Sequence, residues 1–304
     1  MGAQLQTIEE LAAVSGRSLY DRVAEETASI VIRRYSTSFG LASRLLEPSV
    51  RRHIENIYAL VRIADEIVDG TALNTLAAGR ALNELEAETH LAMDLGYSTN
   101  LVVHAYALTA RDVGFNSELT EPFFESMRMD LTQNVHDPAS FERYVYGSAE
   151  VVGLMCLRAF LQHEPLDEAR DARLERGARA LGAAFQKVNF LRDLAADFET
   201  LGRSYFPGVD ITTFSEADKV RLLDDIDDDL RVSGEVIPEL PKGSRRAVAL
   251  AHGLFAELSK RLRATPASEL VRSRVRVPNP IKARIALGAA LGRAVRVRRS
   301  EEIR

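Results

Sequence analysis

The stretch IYALVRIADEIVDG, residues 57–70, decides the fold because it combines a helical period with an unusual distribution of charge. At 100° per residue, Tyr58, Arg62, Asp65 and Asp69 fall within about 60° of one another on a helix. Nearly every other position in the stretch is apolar. A surface helix would be polar across its outer half. This pattern therefore predicts a helix that is buried on most sides, with an ionic stripe facing a cavity or another charged stripe.

The stretch LGAAFQKVNFLRDLAADFETL, residues 181–201, repeats this design. Gln186, Asn189, Asp193 and Asp197 share one stripe, and apolar residues surround it. Two acids spaced four apart are not specific, because a chain with this acid content holds roughly six such pairs by chance. Each pair alone could simply neutralise arginines. Two pairs in apolar surroundings instead predict two helices that face each other across a cavity.

The predicted cavity gathers four carboxylates, and two carboxylates about 6 Å apart repel by about 3 kcal/mol at an effective dielectric constant near 20. A divalent cation would offset this repulsion. The candidate metal ligands are all oxygen donors: Asp65, Asp69, Asn189, Asp193 and Asp197. No His or Cys stands at ligand spacing, which favours Mg2+, with Mn2+ as the alternative, over zinc or a di-iron centre. Because Mg2+ commonly joins a few carboxylates to phosphate oxygens, the pattern predicts a diphosphate ligand.

Three arginines are candidates to bind the remaining diphosphate oxygens: Arg62, Arg192 and Arg203. Arg192 lies about 120° from the acidic stripe of its own helix, so a structural pairing with another helix is the alternative for this residue. The segment GRSYFPGVD, residues 202–210, breaks the helical pattern directly after the second motif. We expect it to form a loop that overhangs the second acidic pair.

Apolar residues recur near every 3.6 positions along the chain, and strand-like alternation is nearly absent, so the sequence predicts an all-α protein. With 304 residues and no linker-like segment, we expect one domain built as a multi-helix bundle. Gly70 is the predicted stop of the first acidic helix, and Thr120 with Pro122 the predicted start of a later one. The expected helices are 19–46, 50–69, 74–94, 99–113, 121–133, 139–162, 167–201, 215–230, 244–264 and 280–298.

Composition excludes several classes of protein. Cys156 is the only cysteine and lies among apolar residues, which predicts a buried thiol and a reducing, cytoplasmic location. No apolar run is long enough to span a membrane, and the first residues show no export signal. Residues 260–304 hold 13 Lys or Arg against 3 acids. This basic end is either a solvated helix or a peripheral contact with anionic lipid at the inner face of the membrane. No motif favours nucleic acid.

The chain resembles the squalene and phytoene synthases, in particular the actinobacterial phytoene synthases, from about residue 30 to about residue 300. Four segments, in the order of the family, carry this resemblance: YSTSFGLASRLL at 35–46, IYALVRIADEIVDG at 57–70, YVYGSAEVVG at 144–153 and GAAFQKVNFLRDLAADFETLGRSYFP at 182–207. The resemblance implies an isoprenoid-synthase bundle around a central cavity, formed by one trans-isoprenyl diphosphate synthase domain over residues 1–304.

The resemblance also implies a reaction. Two molecules of geranylgeranyl diphosphate would join head to head, through prephytoene diphosphate, to give phytoene for carotenoid biosynthesis. The acidic side chains would hold Mg2+ and two prenyl diphosphates, and no nicotinamide cofactor is expected. Tyr144 would lie near the reacting carbons, with packing at a helix contact as the alternative. The residues expected to contact substrate are Tyr35, Ser36, Ser38, Phe39, Tyr58, Arg62, Gln186, Arg192, Arg203 and Tyr205.

Some of these residues have a simpler interpretation, and some positions depart from the family. Residues 35–39 could merely cap and pack a helix. Glu66 stands where many relatives have Asp, but it flanks the stripe, so metal binding should survive. Ser148 and Glu150 replace small apolar residues near Tyr144 and alter the expected contour of the pocket. Phe255 stands where the family has a tyrosine near a diphosphate.

Three other functions compete with phytoene synthesis. A squalene or dehydrosqualene synthase would use farnesyl diphosphate, and a squalene synthase would also need a nicotinamide reductant. A non-catalytic relative acting in assembly or lipid binding could have lost its acids, yet all are present. A head-to-tail chain elongator usually has adjacent Asp pairs, which this chain lacks in both motifs.

Overall fold

The structure is a computed structural model that describes residues 17–70, 74–165, 167–196 and 203–292. In chain order its helices are α1 Leu19–Tyr35, α2 Thr37–Ser43, α3 Pro48–Asp69, α4 Thr75–Leu95, α5 Leu101–Val113, α6 Ser117–Thr132, α7 Pro138–Val145, α8 Val151–Phe160, α9 Glu168–Ala196, α10 Glu216–Val236, α11 Lys242–Ala264, α12 Ala267–Leu270 and α13 Asn279–Ala290. Within the described ranges, strand-like pairing is limited to one isolated bridge between Val135 and Ser204. The predicted all-α fold is confirmed.

Two predicted helices are interrupted. Ser36 is extended, with φ −132° and ψ 116°, and its hydroxyl accepts the backbone N–H of Phe39, so it ends α1 and caps α2. The predicted 139–162 helix contains one π-helical turn, Tyr146–Glu150, between α7 and α8. Here a Cβ at Gly147 would come 2.0 Å from the carbonyl oxygen of Pro122, so the turn presses closely against α6.

Three other helix boundaries can be compared with their predicted positions. Asn116 accepts the backbone N–H of Glu118 and caps α6, so this helix starts before the predicted Thr120 and Pro122 lies inside it. Gly70 caps the end of α3 as predicted, and its N–H donates to the carbonyl of Glu66. Helix α10 continues to Val236, beyond the predicted end. Parts of the predicted 167–201 and 280–298 helices lie outside the described residues.

The helices pack around two main apolar clusters. One cluster joins α1 with α3, α4, α5, α6 and α8, and the other joins α7, α9, α10 and α11 with the segment after residue 203. A cavity of about 290 Å³ lies between them, lined mainly by apolar side chains from both sides. Cys156 is only partly buried, because it lines the cavity, so the predicted full burial is wrong, although desolvation still raises the pKa of its thiol to about 12. Among the described helices, none is long and apolar enough to cross a bilayer.

Candidate active site

The first acidic motif occupies the last turns of α3. Arg62 Nη1 lies 2.7 Å from Asp65 Oδ2, and Arg62 also pairs with Glu66. A helix C-terminus carries partial negative charge, so carboxylates are unfavourable there without a nearby cation. Burial, followed by the charge of Asp69, raises the pKa of Asp65 to about 6, although Arg62 and Arg203 oppose the rise. A cation bound at this end of α3 would therefore stabilise the charged form of these carboxylates.

The second acidic motif occupies the corresponding end of α9. Arg274 Nε lies 2.7 Å and Arg192 Nε 3.0 Å from Asp193 Oδ1, and both guanidinium groups also reach the second carboxylate oxygen. Arg192 therefore pairs within its own helix, and the alternative of a pairing with another helix is wrong. Arg274, from the segment between α12 and α13, was not predicted. Asp197 lies outside the described residues.

The two motifs stand at the same end of the central cavity. Tyr58 and Val61 of α3 line this cavity, and so do Gln186 and Asn189 of α9. On each helix the first acid follows one turn after the last lining residue: Asp65 follows Val61, and Asp193 follows Asn189. An apolar cavity therefore leads to an end where carboxylates and arginines are concentrated.

Asp130 of α6 is a central residue that the sequence analysis missed. Its side chain is 4% exposed and accepts hydrogen bonds from the hydroxyl of Tyr144 at 2.8 Å and from that of Tyr205 at 3.1 Å. Arg203 Nη1 lies 3.6 Å from Asp130 Oδ1 and 2.6 Å from Asp69 Oδ1. Burial raises the pKa of Asp130 to about 7, against the opposing charge of Arg203 and the hydrogen bond of Tyr144.

This network determines where the loop after residue 203 lies. Arg203 is 6% exposed and also donates to the backbone carbonyls of Val68 and Asp130. The described part of the predicted loop thus contacts the first acidic pair through Arg203, while Asp197 of the second pair lies outside the described residues. Arg203 joins the first pair to the buried acid of α6.

Tyr144 and Tyr205 both contact Asp130, and neither is among the residues that line the cavity. Tyr144 is 3% exposed, its hydroxyl is held by Asp130, and it is not among the residues that line the cavity. Tyr205 stacks on Phe190 with ring centroids 3.9 Å apart. Tyr144 is therefore packed as its alternative interpretation describes, and its role near the reacting carbons stays a prediction.

The segment 35–39 serves the site in several ways. Ser36 caps α2, as described above, so the alternative of a capping role holds for this residue. The Phe39 ring lines the cavity and lies 5.6 Å from Phe185 and 5.8 Å from Phe255, centroid to centroid. Tyr35 is half exposed, and the guanidinium of Arg62 lies over its ring. Phe255 itself stacks on Phe185 at 3.9 Å, so the departure at this position adds to an aromatic wall.

The two departures from the family pattern near Tyr144, Ser148 and Glu150, have different surroundings. Gln186 Nε2 donates to Ser148 Oγ at 3.3 Å inside the cavity, so two of its few polar lining groups satisfy each other. Glu150 pairs instead with Arg179 at 2.6 Å and does not line the cavity. Of the two departures, Ser148 therefore lines the pocket, whereas Glu150 does not.

A cationic cleft of about 1010 Å³ lies at the second acidic motif. Ser36, Ser38 and Phe255 stand on its wall, and none of the described lining residues is acidic. Its basic lining residues are Arg33, Arg44, Arg192, Arg274, Arg276 and Lys282. A cleft of one sign of charge attracts the opposite charge, so this surface favours a polyanion such as a diphosphate.

The donors fit Mg2+ better than a metal that needs a cage of protein ligands. No three His, Cys, Asp or Glu side chains within the described ranges are placed to hold a metal together. Mg2+ is usually bound by one or two carboxylates, with waters and substrate phosphates completing its shell. Asp65 with Asp69, and Asn189 with Asp193, offer two such sparse sets of oxygen donors.

Comparison with known proteins identifies relatives over most of the chain. The family model for squalene/phytoene synthase matches residues 32–280. Phytoene synthase 3 of Zea mays is 32% identical over 196 residues, which are 62% of this chain and 44% of that protein. The 15-cis-phytoene synthase of a Paracoccus species is 30% identical over 190 residues, 60% of this chain and 59% of that protein. The chain thus matches about half the length of these curated relatives.

Solved structures show the same fold. A dehydrosqualene synthase in complex with ligand aligns with a TM-score of 0.71 at 21% identity, over 90% of this chain and 97% of that chain. Squalene synthase HpnC from Alicyclobacillus acidocaldarius aligns with a TM-score of 0.70 at 21% identity, over 82% of this chain and 96% of that chain. The architecture is therefore that of the all-α terpenoid synthases.

Proposed function

This chain belongs to the squalene/phytoene synthase family, whose members are prenyltransferases that use prenyl diphosphates, and we propose that it is a phytoene synthase. In this proposal it joins two geranylgeranyl diphosphates head to head, with prephytoene diphosphate as the intermediate. Joining the two substrates releases one diphosphate and one proton to give prephytoene diphosphate. This intermediate then ionises with release of the second diphosphate, rearranges and loses a second proton to give phytoene. Two named phytoene synthases among its relatives support this proposal.

The length of the cavity is the observation that carries the choice of substrate. Lining residues of α9 run from Leu174 to Asn189, a rise of about 22 Å at 1.5 Å per residue. An extended chain advances about 1.2 Å per bond, so the 16 main-chain carbons of a geranylgeranyl group span about 19 Å and the 12 of a farnesyl group about 14 Å. The cavity therefore suits one geranylgeranyl chain and is longer than a farnesyl chain needs.

The acidic end of the cavity supplies the chemistry of ionisation. Asp65, Asp69, Asn189 and Asp193 would hold Mg2+, with Asp197 added by the family resemblance. The metal supplies positive charge where the departing diphosphate becomes negative. Arg62, Arg192 and Arg274, which now neutralise these acids, would turn to the diphosphate oxygens, whereas Arg203 would bind them from the position in which its neighbours hold it.

The apolar wall protects the cation that ionisation leaves behind. Phe39 and Phe185 line the cavity and form a continuous aromatic group with Phe255, and aromatic faces stabilise cations. Apolar residues along the rest of the wall exclude water, which would otherwise quench the carbocation. The proposed reaction consumes no reductant, so no nicotinamide site is required.

Product analysis tests this proposal. Purified protein is incubated with Mg2+ and either geranylgeranyl or farnesyl diphosphate, with and without NADPH, and the products are separated by chromatography. Phytoene formed without NADPH supports the proposal. Preferred turnover of farnesyl diphosphate would instead indicate a dehydrosqualene or squalene synthase, and turnover of neither substrate would favour a non-catalytic role.

We also propose that the basic end of the chain meets an anionic membrane. In the described part of this end, Leu287 and Leu291 are 63% and 64% exposed. Lys282 and Arg284 lie on α13, as does Leu287, whereas Leu291 directly follows the end of this helix and Arg276 precedes its start. Exposed leucines flanked by basic residues are typical of a helix that lies on a lipid surface. Such a contact would place a lipophilic product next to its destination.

A further inference from the structure

Helices α8 and α9 form one wall of the central cavity, and they cross in a regular antiparallel register. A Cβ at Gly182 of α9 would lie 2.4 Å from the carbonyl oxygen of Ala149, in the π-helical turn that leads into α8, and a Cβ at Gly153 of α8 would lie 2.5 Å from that of Ala178. Going four residues forward, from Ala149 to Gly153, thus corresponds to going four residues back on α9, from Gly182 to Ala178. Since four residues advance a helix by about 6 Å, each step also measures depth in the cavity.

The next step in this register marks the far end of the cavity. It brings Leu157 of α8 opposite Leu174 of α9, and both side chains line the cavity while being 2% and 1% exposed. They belong to a separate apolar cluster with Ile237 and Leu240. Large, tightly packed side chains therefore close the cavity one turn beyond Ala178.

Ala178 is a small residue at a critical depth. It lines the cavity, and its side chain is only partly buried although its neighbours are apolar. It lies eleven residues before Asn189, at a depth of about 16 Å. A farnesyl chain of about 14 Å would end before this depth, whereas a geranylgeranyl chain of about 19 Å would pass it.

We infer that Ala178 is a specificity-determining residue that admits the last isoprene unit of a geranylgeranyl chain. This inference rests on the proposed function, because it requires a prenyl diphosphate to occupy this cavity with its diphosphate at the acidic end. A larger side chain at position 178 would fill the passage to the closed end. It would leave enough length for a farnesyl chain and exclude the fourth isoprene unit.

Binding of unreactive substrate analogues tests the inference without requiring turnover. Dissociation constants for farnesyl and geranylgeranyl thiolodiphosphate are measured by calorimetry, with Mg2+, for the wild type, Ala178→Leu and Ala178→Phe. We expect Ala178→Phe to weaken binding of the geranylgeranyl analogue by at least about 10-fold and to change the farnesyl analogue by less than about 3-fold. Ala178→Leu should give a smaller shift in the same direction.

The matched control is Ala172→Phe, on the exposed face of the same helix, which should change neither dissociation constant. Circular dichroism and thermal melting establish that each variant is folded, and Ala178→Leu provides the test if the larger side chain disrupts packing. Equal weakening of both analogues, or no change in either, would overturn the role of Ala178.

The same experiment separates this inference from the proposed function. If the wild type makes phytoene but its selectivity is indifferent to residue 178, the proposed function stands and the inference fails. If the wild type forms no phytoene while Ala178→Phe still selects against the longer analogue, the inference stands and the reaction assigned here is wrong. A wild type that binds neither analogue overturns both.

Discussion

Arg203 Nη1 lies 2.6 Å from Asp69 Oδ1, although 134 residues separate the two in sequence. The same guanidinium donates to Tyr205 and to two backbone carbonyls, so its position is fixed from several directions. A planar, forked cation that is held in this way is prepared to bind a diphosphate when one enters.

Arg203 should therefore be needed for turnover, and its geometry should matter as well as its charge. We expect Arg203→Gln to lower kcat/KM by at least about 100-fold, and Arg203→Lys to recover only part of the loss because lysine cannot make the forked contacts. Steady-state kinetics with geranylgeranyl diphosphate measures both variants. Arg231→Gln, which removes ion pairs to Asp228 and Glu235 on the exposed side of α10, is the control. Full activity in Arg203→Gln would exclude the proposed role.

Removing an acid from either motif should abolish activity without unfolding the protein. For Asp65→Asn and Asp193→Asn we expect turnover to fall by about 1000-fold or more, because a metal and diphosphate site loses a carboxylate ligand.

Burial raises the pKa of Asp65 to about 6, so its charged form is unfavourable in the folded protein at pH 8. The melting temperature of Asp65→Asn in metal-free buffer at pH 8 should consequently equal or exceed that of the wild type. A large drop in stability would mean that Asp65 is structural.

Asp130 should make stability depend on pH in a direction opposite to that of an ordinary salt-bridged acid. Its pKa rises from 3.8 to about 7 on burial, so the folded protein binds this proton more tightly than the unfolded chain. The contribution of Asp130 to the free energy of unfolding is therefore greatest below about pH 4 and falls as the pH rises to about 7. Asp130→Asn lacks this titration.

Thermal melts of wild type and Asp130→Asn at pH 5 and pH 8 measure the effect. We expect the free energy of unfolding of the variant, relative to that of the wild type, to be higher at pH 8 than at pH 5 by an amount on the order of 2–3 kcal/mol, which a relative rise in melting temperature would report. Other buried acids titrate in both proteins, so the difference between the two isolates Asp130. A difference that does not change with pH would show that Asp130 keeps an ordinary pKa.

The helical period of the sequence was enough to predict the acidic stripes, but not their partners. Asp65, Asp69, Asn189 and Asp193 were found because each lies on a polar stripe of an otherwise apolar helix, which is a property of neighbouring residues. The pairing of Arg203 with Asp69 joins distant segments, and no local pattern specifies it. The contact of the loop with the first acidic pair was accordingly not predicted.

Asp130 and Arg274 were missed for related reasons. Asp130 follows Phe123 and Met127 at helical spacing and so lies on the apolar face of α6. A carboxylate at such a position indicates a buried acid that needs hydrogen bonds, so the sequence could have predicted it. Arg274 stands in RSRVRVP among other arginines, and nothing in that stretch distinguishes it. Its contact with Asp193 depends on how the segment after α12 crosses α9.

The basic end of the chain gives the last prediction. If exposed leucines of α13 and its end enter a lipid surface, the double variant Leu287→Ser and Leu291→Ser should reduce co-sedimentation with vesicles containing anionic lipid by at least about 3-fold, since each loses apolar area that would be buried in the membrane. The wild type should sediment less with purely zwitterionic vesicles and less at high salt, because basic residues supply part of the attraction. Leu76→Ser is the control, as Leu76 is 68% exposed at the start of α4, outside the basic end. Co-sedimentation that is indifferent to anionic lipid, or that falls equally in the Leu76 variant, would show that α13 is a solvated helix.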